Sequence, residues 1–169
     1  ISDILEGAIR PGHFRGVATV VAKLFAIVKP RVAYFGQKDF QQCVVIKRMV
    51  KGLNMDVEVS VLPTVREPDG LAMSSRNTYL NADERRASVI LSRALKAGEE
   101  LIRSGEQEPE KVKQKMRAAL LQEKGIVIDY AEVADPETLG PVEIFSNRTV
   151  LLVAARLGKI RLIDNLLIL

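Results

Sequence analysis

The sequence predicts an α/β chain in two parts: the end of a parallel-sheet domain, then a small α+β layer. Three observations predict it. Up to Pro63 the hydrophobic pattern runs helix, strand, helix, strand, the rhythm of parallel strands joined by right-handed crossovers. After Tyr79 it runs through two long amphipathic patterns and then three strands. Between them, residues 64–77 are polar and carry Pro68 and Gly70, the chemistry of a loop and of a domain boundary. The expected domains are therefore 1–63 and 64–169.

Phe14, Val17, Ala18, Val21, Leu24, Phe25 and Val28 recur at three- and four-residue steps, so residues 13–29 read as a helix that Pro30 ends. Val32 to Phe35 is a short apolar run closed by Gly36, read as a buried strand. Residues 39–53 read as a second helix with Val44, Val45, Ile46, Met49 and Val50 inside. In residues 56–62, Val57, Val59 and Val61 alternate with Glu58 and Ser60, which is a strand. A two-stranded parallel sheet cannot cover both of its own faces, so residues 1–63 are expected to close a larger α/β domain. Residues 81–104 read as one helix opened by an Asn81–Glu84 capping box, with Ala87, Ile90, Leu91, Ala94, Leu95 and Leu101 on its apolar face. Residues 109–124 read as the second, carrying Val112, Met116, Leu120 and Leu121. Strands are expected over 127–133, 149–156 and 160–167, the last two joined by a hairpin at Leu157, Gly158 and Lys159.

Composition narrows the function. With 169 residues, 47% hydrophobic and 27% charged, the chain has the balance of a soluble globular protein. Cys43 is the single cysteine, so no disulfide forms within the chain, and the absence of an export signal or of an apolar run long enough to span a bilayer points to the cytoplasm. The net charge of +4 sits in the first third: residues 1–63 hold nine Lys/Arg against five Asp/Glu, whereas residues 64–169 hold sixteen of each. That excess suits an anionic ligand such as a phosphate. Aromatic residues are only 5% and no basic block occurs, which argues against nucleic acid as the partner.

Two stretches are placed for chemistry. Gly36, Gln37, Lys38 and Asp39, followed by Phe40, Gln41 and Gln42, lie at the C-terminal end of a predicted strand and the start of a helix. Ligands of open α/β sheets bind at that edge, and helix N-termini favour phosphate. The competing reading is an Asp39–Gln42 helix cap with a solvated Lys38. The second stretch is the loop Arg66, Glu67, Pro68, Asp69, Gly70, then Met73, Ser74, Ser75, Arg76 and Asn77, whose hydroxyls and guanidinium suit phosphate oxygens. Its competing reading is a polar linker with a turn. His13, the one histidine, leaves no His-rich metal site within the chain, and a local hydrogen bond at a helix start is its ordinary fate. Cys43 lies in an apolar helix stretch and is expected to pack rather than react.

In order, Arg10-Pro11-Gly12-His13-Phe14, Phe35-Gly36-Gln37-Lys38-Asp39 with Gln41-Gln42, Arg66-Glu67 with Asp69 to Asn77, Ala154-Ala155-Arg156-Leu157-Gly158 and Arg161-Leu162-Ile163-Asp164-Asn165 resemble the motifs of the pantoate–β-alanine ligase family. The resemblance implies a Rossmann-like nucleotide-binding domain followed by a small C-terminal lid. It implies ATP-dependent joining of pantoate to β-alanine through a pantoyl adenylate, with Mg²⁺, releasing AMP and pyrophosphate. On the matching positions, Gly36, Gln37, Lys38, Asp39, Val65, Met73, Ser74, Ser75 and Arg76 would meet ATP, with Lys38, Ser74, Ser75 and Arg76 supplying the catalytic charge and hydrogen bonds. Val65 would do so through its backbone, and Gln42 would bind pantoate. Val17, Val20 and Val21 are either neighbours of pantoate's methyl groups or core. The family commonly has Glu where Gln37 stands, and its HxGH motif lies upstream of these motifs and is not in this sequence. The chain accordingly resembles the C-terminal part of such an enzyme, inactive alone, with a homodimer expected of the full-length protein. A related nucleotidyltransferase, or a nucleotide- or RNA-binding module without chemistry, are the alternatives.

Overall fold

The computed structural model describes residues 1–145 and 148–168, and the chain divides into two compact units, Ile1–Pro63 and Thr64–Leu169. The first unit contains α1 (Glu6–Ile9), α2 (His13–Val28), β1 (Val32–Gly36), a 3₁₀ turn (Gln37–Asp39), α3 (Phe40–Gly52) and β2 (Glu58–Leu62). β1 and β2 pair in parallel, with Val32 opposite Glu58 and Gly36 opposite Leu62. Pro30 stops α2 as expected: Lys29, just before it, takes a left-handed conformation with φ 50° while its N–H still donates to the Phe25 carbonyl. α3 packs on both strands and α2 packs on α3.

Burial in this unit departs from expectation. An apolar run such as Val32–Phe35 reads as a strand covered on both faces, yet Tyr34 is 67% exposed and no residue of β1 is fully buried. Val20, Leu24, Ile27 and Val28 on α2 are exposed too. α3 covers the two strands only in part, and α2 packs on α3 and not on the sheet's remaining surface. In α3 the inward set is Phe40, Gln41, Cys43, Val44 and Ile46, whereas Val45, Met49 and Val50 are only partly buried. Gln41 is buried because it is a clasp. Its Nε2 donates to the carbonyls of Ile1 (2.7 Å) and Ile4 (2.8 Å), and its Oε1 accepts the Glu6 N–H at 3.0 Å, which ties the first residues to α3.

The second unit contains a 3₁₀ helix (Ser75–Tyr79), α4 (Ala82–Ala87), α5 (Ile90–Arg103), α6 (Pro109–Leu120) and the antiparallel strands β3 (Ile126–Ala134), β4 (Thr149–Leu157) and β5 (Ile160–Ile168), with β4 in the centre. The predicted helix over 81–104 is two helices. Ser88, fully buried, turns its hydroxyl back to the Arg85 carbonyl at 2.7 Å, and the backbone tightens there before α5 resumes. The capping box is present: Asn81 Oδ1 accepts the Glu84 N–H at 2.9 Å, and Glu84 Oε2 accepts the Asn81 N–H at 2.9 Å. α5 packs on β4 and β5, and α6 packs on α5 and β3. Leu91, Leu95, Val112, Met116, Leu120, Val133, Leu151 and Val153 form the core between them. Leu121 falls past the end of α6 and is 66% exposed, so it leaves the apolar face assigned to it.

The β4–β5 hairpin accounts for two of the sequence motifs. Gly158 turns it with φ +56°, a conformation costly for residues with a Cβ, and the Glu84 carboxylate occupies the space where that Cβ would project. Arg156 and Arg161 face each other across the hairpin, a like-charge pair that would destabilise it. A bulge in β3 at Asp129 supplies the counter-charge: its carboxylate accepts Arg161 Nε at 2.5 Å and Arg156 Nε at 3.4 Å.

Candidate functional site

The first stretch begins where β1 ends. Gly36 is the last residue of the strand, Gln37–Asp39 form the 3₁₀ turn, and Phe40 opens α3, so the segment occupies the C-terminal edge of a parallel strand. Gln37 and Lys38 are half-buried and Asp39 is exposed. The helix-cap reading of Asp39 does not hold, because its side chain makes no capping hydrogen bond to α3. Gly36 has an ordinary extended backbone, φ −79° and ψ 131°, and among the described residues an added Cβ would meet nothing within 4 Å. Neither its conformation nor its packing against the described residues requires glycine there. Gln42, half-buried, lies in the first turn of α3 next to the clasp residue Gln41.

Cys43 lies directly beneath this edge. Its thiol donates to the Gly36 carbonyl at 3.4 Å, and burial, aided by Asp39, pushes its pKa up to about 11. At pH 8 roughly one such thiol in a thousand is ionised, and the thiolate is the reactive form. Cys43 should therefore react with iodoacetamide at least about 10²-fold more slowly in the native protein than in denaturant. Equal rates, read by mass spectrometry of timed samples, would show that it is not packed as described.

The second stretch is a closed loop. Met73 N–H donates to the Val65 carbonyl at 2.9 Å, Glu67 N–H donates to Leu71 at 2.8 Å, and Arg66 and Ala72 pair as an isolated antiparallel bridge. Val65 and Met73, eight positions apart in sequence, are thus brought together, both exposed, while Leu71 and Ala72 are buried beneath them. The Val65 carbonyl keeps a second lone pair beyond the one Met73 uses. Ser74 caps the following 3₁₀ helix, its Oγ accepting the Arg76 N–H at 3.2 Å, and Asn77 Nδ2 donates to the Ala72 carbonyl at 3.1 Å. Ser75 and Arg76 are exposed. This is a built loop and not a slack linker. Asp69 braces its tip: Arg85 Nη1 donates to it at 2.6 Å and holds its carboxyl below the usual range.

Arg66 is the residue that sequence reasoning left unassigned. Its Nη1 donates to Asp164 Oδ2 at 2.7 Å and its Nη2 to Asp164 Oδ1 at 3.0 Å, so its fork is spent on β5 and not offered to a phosphate. The partners stand 98 residues apart, and only their joint occurrence in the ordered motifs pointed to either.

His13 opens α2 with a local partner, Arg10 Nη1 at 3.2 Å from its Nε2, and its ring lies 5.0 Å from that of Phe14. Of the three α2 valines set beside pantoate's methyl groups, Val20 is 57% exposed and Val17 and Val21 are half-buried, so none belongs to a closed core. Among the described residues no group of three His, Cys, Asp or Glu side chains is placed to hold a metal ion. No described helix is long and apolar enough to cross a membrane.

A parallel α/β unit with a glycine-lysine turn at its strand edge, joined to an α+β unit carrying a serine-arginine loop, is the pattern of a ligase family. Residues 1–167 match the family described as pantoate–β-alanine ligase, and the chain belongs to that family. It is 58% identical over 165 residues to the pantothenate synthetase of Pseudothermotoga lettingae, covering 98% of this chain and 59% of that protein. It is 54% identical over 166 residues to that of Dehalococcoides mccartyi, covering 98% and 62% respectively. The chain thus spans about three-fifths of the length of these relatives. The crystal structure of pantothenate synthetase from Thermus thermophilus superposes with a TM-score of 0.95 at 46% identity, over 98% of this chain and 59% of that one. The ligase from Francisella tularensis, solved with β,γ-ATP and β-alanine, gives a TM-score of 0.67 at 35% identity, over 98% of this chain and 54% of that one. The mixed fold, with a two-stranded parallel sheet and a separate three-stranded antiparallel sheet, is that of these synthetases.

Proposed function

We propose that the full-length protein condenses pantoate with β-alanine at the expense of ATP, giving pantothenate, AMP and pyrophosphate. The family match over residues 1–167 carries this reading. A carboxylate is a poor electrophile, so one of its oxygens must first become part of a leaving group. The pantoate carboxylate oxygen attacks the α-phosphorus of ATP, the bond from that phosphorus to the bridging oxygen breaks, and pyrophosphate leaves. The β-alanine nitrogen then attacks the acyl carbon of the pantoyl adenylate, the acyl carbon–oxygen bond breaks, AMP leaves and the nitrogen gives up its proton.

In this reading the chain's residues bind and neutralise the nucleotide. The Lys38 ammonium and the Arg76 guanidinium offset charge on phosphate oxygens as it redistributes, and Ser74 and Ser75 donate hydrogen bonds. Gly36, Gln37 and Asp39 line the approach at the strand edge, Val65 and Met73 meet the nucleotide from the neck of the closed loop, and Gln42 hydrogen-bonds pantoate. Exclusion of water protects the adenylate from hydrolysis. Mg²⁺ belongs to the same reading as charge neutralisation for the triphosphate. The described residues offer it no cluster of acidic side chains, so it is assigned to no residue of this chain. A homodimer and a cytoplasmic location complete the proposal, the latter supported by the lone unpaired Cys43.

Product analysis of the full-length protein with ATP, pantoate and β-alanine tests it. One AMP per pantothenate is expected. A nucleotidyl group that stays on its acceptor indicates the transferase instead, and salt-sensitive RNA binding without any response to ATP indicates the binding module.

A further inference from the structure

We propose that Arg66 and Asp164 are positioning residues for the nucleotide loop, setting where the segment Met73–Arg76 starts. The inference rests on the role proposed above for that segment. Arg66 Nη1 donates to Asp164 Oδ2 (2.7 Å) and the Gly70 carbonyl (2.9 Å), while Nη2 donates to Asp164 Oδ1 (3.0 Å) and the Asn165 carbonyl (3.3 Å). Asp164 is itself fixed, with its side chain 2% exposed and its Oδ1 accepting the Asn165 N–H at 2.8 Å. Arg66 thereby fastens both its own backbone and the Gly70 turn to β5. The bridge from Arg66 to Ala72 and the bond from Met73 N–H to Val65 carry that placement to the residue before Ser74.

The far side of the segment is tied to the same hairpin. Asn81 and Glu84 cap α4 on each other, and Glu84 sits against Gly158, where β4 turns into β5. Between these two anchorages, Ser75, Arg76 and Tyr79 are exposed, and the hydrogen bonds of this stretch are short-range: Asn77 N–H to Ser74, Thr78 Oγ1 to Ser75, Leu80 N–H to Asn77. The 3₁₀ helix itself packs on β5, the strand that carries Asp164, so the segment takes its position from that strand and from its two ends. The choice of a bidentate ion pair fits this use. A buried ion pair adds little stability over an apolar pair of similar volume, but two parallel hydrogen bonds fix direction.

The test uses the full-length protein and measures KM for ATP, KM for pantoate and pantoate-dependent pyrophosphate exchange, with thermal unfolding alongside. Asp164→Asn and Arg66→Lys should each raise KM for ATP about tenfold or more and leave KM for pantoate within about twofold, because small misplacements of binding groups carry large rate and affinity penalties. Arg66→Lys keeps the charge and loses the fork, so it decides the matter should Asp164→Asn not fold. Met116→Ala, in the core of the same unit, is the control for lost stability. Wild-type KM for ATP in Arg66→Lys, or an equal rise in Met116→Ala, overturns the proposal. Arg76→Ala separates the two readings. If it slows pyrophosphate exchange or raises KM for ATP while the Arg66 and Asp164 variants leave KM for ATP unchanged, only the positioning role fails. If it changes neither exchange nor KM for ATP, the role of the loop itself fails.

Discussion

Replacing Lys38 with alanine in the full-length protein is expected to slow pantoate-dependent pyrophosphate exchange by at least about 10²-fold, the scale of losing one electrostatic stabiliser of a developing charge. The placement supports it. Lys38 is the middle residue of the 3₁₀ turn between β1 and α3, half-buried at the C-terminal edge of the strand, where its backbone has little freedom. The loss should fall on kcat more than on KM for ATP, because the lysine is asked to favour the transition state over the ground state. Lys38→Arg should recover only part of the rate, since a planar guanidinium places its charge differently from a point-like ammonium. Cooling or added salt should not restore Lys38→Ala. An alanine variant with near-normal exchange removes Lys38 from the chemistry and leaves it as a surface residue of the turn.

How much of this was readable beforehand depended on the range of the interaction. Local rules worked where the partners are local. Pro30 ends α2 just before itself, the Asn81–Glu84 box forms, and Gly158 turns the last hairpin. They erred at Ser88, which reads as an ordinary helical residue: the helix is interrupted between Ala87 and Ile90, where the Ser88 hydroxyl donates to the Arg85 carbonyl. Burial was misread where it depends on what covers an element. The pattern of Val32–Phe35 is that of a strand covered on both faces, but the strand's own residues cannot say whether the cover is there. The candidate site divides in the same way. The turn at residues 36–39 was legible because strand edge, glycine and lysine are contiguous. The work of Arg66 was not, because its partner lies on β5, and nothing in periodicity or spacing links position 66 to position 164. Gln41 and Gln42 make the same point at closer range: adjacent glutamines, one buried and spent on the backbone of residues 1–6, the other half-buried in the first turn of α3.

Leu151→Ala is expected to destabilise the second unit by about 2–5 kcal/mol, a large fraction of the roughly 5–15 kcal/mol that holds a domain folded. Leu151 is fully buried in the central strand, opposite Val133 on β3 and Leu166 on β5. What makes the site informative is Gly98, in the middle of α5. A Cβ there would lie 3.0 Å from Leu151 Cδ1 and 2.9 Å from Met116 Cγ, closer than such atoms pack. The helix lies this near the strand only because position 98 has no side chain. Alanine in a helix interior is worth about 1 kcal/mol over glycine, but overpacking a core costs about 1–3 kcal/mol, so Gly98→Ala alone should be destabilising. With Leu151 truncated, one of the two obstacles is gone, and the remaining one is a flexible methionine that can turn aside. Gly98→Ala should then restore part of what Leu151→Ala removed, giving a double variant more stable than the single Leu151→Ala. Urea unfolding followed by circular dichroism, with an unchanged slope in all four proteins, measures this. Simple addition of the two losses would mean that α5 and β4 do not meet at these residues, and the packing that supports the Arg66–Asp164 anchorage on β5 would have to be redrawn.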